Sequence, residues 1–178
     1  VIILVVAAVI VAAATAYAIW AMGQERRIET TVRLDARANE VWAVLTDFPA
    51  YGEWNPFLTA VSGLLAEDER LDATFTQANG KTSRFRPRVL RVSPARQIRW
   101  LGKLGPGGLF DGEHYFVLAP QEDGTTVLTH GERFTGVLVP LLGRLLADTE
   151  QGFTAMNDAL AARLAALGDG PDGDALDD

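Results

Sequence analysis

The sequence predicts an α+β domain in which a curved antiparallel sheet wraps a long C-terminal helix, with one membrane-spanning helix ahead of it. Three observations lead there. The stretch from Val1 to Met22 carries no charged side chain. The middle of the chain alternates apolar and polar residues between closely spaced turn residues, which is strand periodicity. After Gly136 the apolar spacing changes to about 3.6 residues and keeps that period to Leu167, which is helix periodicity.

The first element is "VIILVVAAVIVAAATAYAIWAM". At ~1.5 Å per residue it spans ~33 Å, enough for a bilayer core of about 30 Å. Tyr17 and Trp20 suit an interfacial belt, and Arg26 and Arg27 follow. The expectation is a single-pass anchor in the cell membrane, with positive charge after the helix favouring a cytoplasmic domain. A secretory signal peptide is the competing reading, with Ala14-Thr15-Ala16 as its cleavage-site triplet. The run is longer than a usual signal core of ~7–15 residues, and no face of it is polar, as a buried surface helix requires.

Residues 23–27 read as a polar linker. In "IETTVRLDA" (28–36), Ile28, Thr30, Val32 and Leu34 share one face of a strand. Val41, Val44, Leu45 and Phe48 then recur at helical spacing, with Asn39 as the candidate cap. Pro49, Gly52 and Pro56 punctuate "PAYGEWNPF" into a short helix and a turn. Six strands are expected near 58–64, 70–78, 82–92, 96–104, 112–119 and 125–134. Turns fall at Asn79-Gly80, Ser93-Pro94, 105–108 and Asp123-Gly124. Such short connections imply antiparallel pairing. Leu142, Leu145, Leu146, Phe153, Met156, Leu160, Leu164 and Leu167 form the stripe of the last helix, with Pro140 in its first turn and Gly168 at its end. The organisation expected is anchor 1–22, linker 23–27, domain 28–167 and a disordered acidic tail 168–178, whose last ten residues hold five aspartates.

Composition narrows the function. The chain has no cysteine, which removes disulfides and thiolate chemistry. Its net charge is −7, and residues 73–110 hold no acid and carry eight Lys and Arg. An acidic chain with a single basic zone is not a nucleic-acid binder by default. The Gly105–Gly108 segment "GPGG" lacks the Lys-Ser/Thr of a phosphate-binding loop and reads as a hairpin turn; no cofactor is expected.

The segments "ANEVWAVLTDFPAYGEWNPF", "GEHYFVL" and "TVLTHGERFTGVLVPLL" give the chain a resemblance to the START-like (SRPBCC, polyketide cyclase/dehydrase and lipid-transport) superfamily. The likeness covers roughly residues 28–167. It implies a helix-grip fold around a cavity for a hydrophobic ligand, in a superfamily that includes both carriers and enzymes.

Strand phase selects the candidate site. In "VLTHGERF" the larger apolar side chains Leu128 and Phe134 share a face with His130 and Glu132. The same argument turns His114, Phe116 and Leu118 inward on the preceding strand, and Ile98 with Trp100 on the one before. Helix residues Phe153 and Met156 complete the wall. Trp54, Asn55 and Phe57 are expected at the rim or floor, with Asn55 a candidate polar contact. Three readings are open for His114, His130 and Glu132: structural hydrogen bonding, orientation of a ligand's polar head, and general acid–base work. A metal site is not expected, because the three come from two strands at no recognised ligand spacing. Arg84, Arg86 and Arg88 form a ladder on one strand face, either solvated or resting on anionic headgroups, with Pro87 marking an edge or bulge.

The leading functional expectation is a membrane-anchored carrier or sensor of a lipid, isoprenoid or polyketide-like molecule. The alternatives are a cyclase or dehydratase using His130 and Glu132, and a protein-interaction module.

Overall fold

A computed structural model of the chain describes residues 1–77 and 80–168, with the side chains of Arg144 and Leu145 left out. Asn79 of the expected turn and the acidic tail beyond Gly168 lie outside the described residues. The order is α1 (Ile2–Met22), β1 (Glu25–Leu34), α2 (Ala38–Thr46), α3 (Tyr51–Trp54), β2 (Leu58–Ser62), β3 (Asp72–Thr76), β4 (Thr82–Phe85), β5 (Arg88–Ser93), β6 (Gln97–Lys103), β7 (Asp111–Pro120), β8 (Thr126–Thr135) and α4 (Gly143–Gly168). All pairing is antiparallel. One sheet runs β1-β8-β7-β6-β5 and a second runs β2-β3-β4.

Four expectations need correction. First, β1 begins at Glu25, so most of the expected linker is strand. Glu25 and Arg27 pair with Thr135 and Arg133 of β8, where ladder hydrogen bonds outweigh the polar composition. Second, the strand expected over 82–92 is two strands in different sheets. Pro87 has no N–H to donate and restricts Arg86 before it, so the ladder breaks there. The sheets stay joined beside the break: Leu71 N–H donates to the Pro87 carbonyl at 3.0 Å and Val89 N–H to the Glu69 carbonyl at 2.8 Å. Third, Asn39 does not cap α2. Arg37 is the N-cap residue, and Glu40 Oε2 accepts from Arg37 N–H at 2.6 Å. Fourth, Pro140 precedes the α-helix in a 3-10 turn, Val139–Leu141, and Leu167 is exposed where α4 runs past the sheet.

The core lies between the concave face of the large sheet and α4. Phe153, Met156 and Leu160 are essentially inaccessible, against Ile98, Phe116 and Leu128 from the sheet. Leu34, Val41 and Leu45 close the same core from β1 and α2. Removing an aliphatic side chain of this kind costs about 2–5 kcal/mol. Gly136, at φ +120°, makes the turn from β8 toward α4. A Cβ there would lie 2.6 Å from the Leu109 carbonyl oxygen, so the glycine lets the two loops touch. Helix α1 stands apart: of its residues only Ala21 is buried, and its mean hydropathy reaches 2.7 over a membrane-length window.

Candidate functional site

A cavity of about 110 Å³ opens where the two sheets diverge below the start of α4. Phe57, Phe75, Phe85 and Pro87 form the wall on the small-sheet side. Trp100, Phe110, Gly112, Glu132 and Phe134 form the other, and Asp148 and Thr149 of α4 roof it. Aromatic contacts hold this wall in shape. Phe57 lies 5.6 Å from Phe153 and 5.3 Å from Phe75, and Phe110 stacks on Phe134 at 5.3 Å. Lys103 and Asp148 line the cavity from exposed positions, so Glu132 is its one largely buried ionisable group among the described residues.

The strand phase argued from the sequence holds. Leu128, His130 and Phe134 are buried on the inner face of β8, and His114, Phe116 and Leu118 on that of β7. On the outer face, Gly131 leaves room for the ring of Tyr115, where a Cβ would sit 2.5 Å from its hydroxyl oxygen. Arg99 covers that ring at 4.8 Å, and Tyr115 donates to Glu29 Oε2 at 2.7 Å. The roomier depression here is polar, and its arginines and glutamates neutralise one another.

Of the twelve expected ligand contacts, Phe57, Trp100, Glu132 and Phe134 reach the cavity. The others sit behind it. Phe116, Leu128, Phe153 and Met156 are packed in the core. Trp54 packs edge-on against Tyr51 at 5.2 Å. Asn55 is buried, and its Oδ1 accepts from the N–H groups of Phe57 and Leu58 at 3.1 and 2.9 Å. Through Oδ1 it shapes the entry to β2, as short Asx side chains do at turns. His114 and His130 are also walled off. Trp100 stacks on His114 at 4.9 Å, and Phe153 stacks on His130 at 3.9 Å.

The two histidines nevertheless form the interior of a hydrogen-bonded chain that ends at the cavity. Asn157 Nδ2 donates to Thr30 Oγ1 at 2.9 Å, and Asn157 Oδ1 meets His130 Nδ1 at 2.9 Å. His130 Nε2 faces His114 Nε2 at 3.2 Å, and His114 Nδ1 faces Glu132 Oε2 at 3.5 Å. Burial pulls the His114 imidazolium down to about 3, and burial with His114 alongside pulls His130 well below its ordinary range. Burial pushes the Glu132 carboxyl up to about 8. In each case burial favours the neutral form at pH 7. Thr30 was legible as an inward residue of β1. Asn157 announced itself only as a polar residue on the apolar stripe of α4, one turn after Phe153.

The arginine ladder is divided by the break at Pro87. Arg84 lies in β4 and Arg88 in β5, and all three arginines are exposed. Arg86 pairs with Asp72 at 3.0 Å and Arg88 with Asp68 at 2.7 Å, while Arg84 has no ion pair among the described residues. No cluster of three His, Asp or Glu side chains among the described residues is arranged to hold a metal.

The description "polyketide cyclase / dehydrase and lipid transport" belongs to a family model that matches residues 25–168. This chain belongs to that family. Solved structures of the same fold include the Zhui aromatase/cyclase of a Streptomyces species, at 21% identity and a TM-score of 0.64 over 80% of this chain and 94% of that one. A START superfamily protein from Mycobacterium smegmatis matches at 23% identity and TM-score 0.60, over 79% and 98%. A protein from Mesorhizobium loti matches at 20% and 0.62, over 81% and 99%. Among curated proteins nothing matches significantly. The fold is thus the START-like helix-grip, and members of this family place ligand binding or cyclase-type chemistry within reach of it. α1 lies outside the matched residues, so it is an addition to the family's domain.

Proposed function

We propose that this protein holds a hydrophobic small molecule in the cavity between its sheets and α4, beside a membrane into which α1 inserts. The observation that carries this reading is the cavity's makeup: aromatic walls with one neutral carboxyl at the inner end. An apolar cavity of about 150 Å³ accepts benzene. At about 110 Å³ the space here is smaller, so it takes a chain end or part of a ring, with the rest of the ligand passing out through the mouth past Leu104.

Three features support a membrane source for that ligand. Tyr17 of α1 donates to the Val137 carbonyl at 3.0 Å. Val137 and Leu138 in turn hydrogen-bond the carbonyls of Gly108 and Leu109, in the hairpin that brings Leu104 to the cavity. Leu104 and Leu141 are exposed on these loops. The mouth is therefore built from the segments nearest the anchor. Lipids, isoprenoids and polyketide-like molecules all fit this chemistry, and Arg26 and Arg27 after α1 favour a cytoplasmic domain. Arg84 is the member of the divided ladder best suited to an anionic headgroup.

Native mass spectrometry and solvent extraction of the full chain released from detergent test the reading. An apolar molecule at near-molar stoichiometry is expected. Repeated isolation of empty protein that takes up no apolar probe overturns it.

A cyclase or dehydratase is the second reading. It is favoured by Glu132, which holds a proton at neutral pH where a general acid needs one. It requires that Glu132→Gln abolish turnover while binding survives. The chain behind Glu132 argues for binding, because it ends at Thr30 on the sheet and offers no charged partner to restore a proton.

A further inference from the structure

The hydrogen bonds behind Glu132 fix which of its atoms meets the cavity, and the order of donors follows from the closed end of the chain. Thr30 Oγ1 donates to the His130 carbonyl at 3.3 Å, so toward Asn157 it is an acceptor and takes the Nδ2 proton at 2.9 Å. Asn157 then turns Oδ1 to His130, and the His130 nitrogen it meets, Nδ1, carries a proton. A neutral imidazole has one N–H, which leaves His130 Nε2 as a lone pair. His114 Nε2 donates to it, and with His114 held neutral by its burial, Nδ1 is left as an acceptor facing Glu132 Oε2. Only the acid form of Glu132 satisfies that acceptor. Its proton is used inward, and Oε1 remains over Gly112 in the cavity wall, with no hydrogen-bond partner in the chain behind it. A Cβ at residue 112 would collide with Oε1, so the glycine makes the seat for the carboxyl, with Phe134 on its other side.

We propose that the cavity selects neutral apolar ligands carrying a hydroxyl, an alcohol or phenol, whose O–H donates to Glu132 Oε1. The proposal rests on the cavity being a ligand site. An aldehyde, ketone or carboxylate in the same place sets acceptor against acceptor, and a plain hydrocarbon leaves Oε1 unpaired. An ammonium finds no buried anion, because the other charged lining groups, Lys103 and Asp148, stand at exposed positions.

The test uses the full chain in nanodiscs, with four one-ring probes of matched shape: toluene, para-cresol, para-tolualdehyde and para-toluate. Their free concentrations are set by a dialysis reservoir, empty nanodiscs supply the blank, and binding is followed at the Trp100 indole N–H. Para-cresol is expected to bind about ten-fold tighter than toluene, as a buried polar group gaining its partner predicts. The aldehyde and the carboxylate are expected to bind no better than toluene. Glu132→Gln should keep the preference, because the amide donates to His114 and still presents an oxygen to the cavity. Glu132→Leu should erase it while toluene binding survives. Equal affinities for toluene and para-cresol, or a carboxylate preference, overturn the hydroxyl proposal and leave the cavity reading standing. If no probe binds, toluene included, the cavity reading itself fails and the proposal falls with it.

Discussion

Glu132 should impose its own pH dependence on stability, and Glu132→Gln isolates it. The carboxyl ionises near 4.5 in an unfolded chain and at about 8 in the folded one. Below pH 4.5 both states hold the proton and the group is neutral with respect to folding. Between 4.5 and 8 only the folded state holds it, so folding must take up a proton and stability falls as pH rises, by about 1.4 kcal/mol per unit. Above 8 the penalty is constant. The side chain keeps 17% exposure toward the cavity, and solvent screening there limits the loss across the window to about 4 kcal/mol. The histidines act in the opposite direction. Held neutral in the fold, they favour unfolding as pH drops below about 6.5. That effect is common to both proteins and cancels in their difference. The assay is denaturant unfolding of the full chain in nanodiscs from pH 4.5 to 8.5, wild type against Glu132→Gln. The gap should move steadily in favour of the variant as pH rises. A gap that stays flat across the window would refute the neutral-acid argument.

Other expectations follow from single contacts. Asn157→Leu leaves the His130 Nδ1 proton and Thr30 without their partner, and should cost about 1–3 kcal/mol in chemical denaturation. Gly152→Ala should destabilise, although alanine favours helix by about 1 kcal/mol, because its Cβ meets the Phe57 ring and overpacking costs about 1–3 kcal/mol. The displaced Phe57 should also narrow the cavity and weaken apolar probe binding. Tyr17→Phe removes the bond from α1 to Val137 and should speed amide exchange at residues 137–142, with β7 and β8 unchanged as the internal reference. At pH 7, nitrogen NMR should show His114 protonated at Nε2 and His130 at Nδ1; the opposite pair of tautomers contradicts the donor order.

Much of this was legible because period and phase are local properties. The alternation in "VLTHGERF" sufficed to place His130 and Glu132 inward, since a strand shows its side chains to alternate faces. Pro87 was legible as a disturbance, but not as the boundary between two sheets, because that depends on which neighbours residues 69–71 find across the break. The cavity was less legible than the core around it. Phe116, Leu128, Phe153 and Met156 were expected as lining, and they pack behind it. Phase separates inside from outside but does not separate a packed interior from an open one. The wall residues Phe75, Phe85 and Phe110 come from strands and a loop whose pairing no local pattern specifies. Asn157 was missed because a single polar residue on an apolar stripe gains meaning only when its partners, 27 and 127 positions away, are known.

Carbon NMR of the Glu132 carboxyl tests most directly whether a neutral acid forms the polar end of a ligand cavity. In the full chain, the Glu132 Cδ resonance should keep its protonated position until about pH 8 and should shift when para-cresol is added. A carboxyl that ionises near 4.5 and does not respond to the phenol would contradict it.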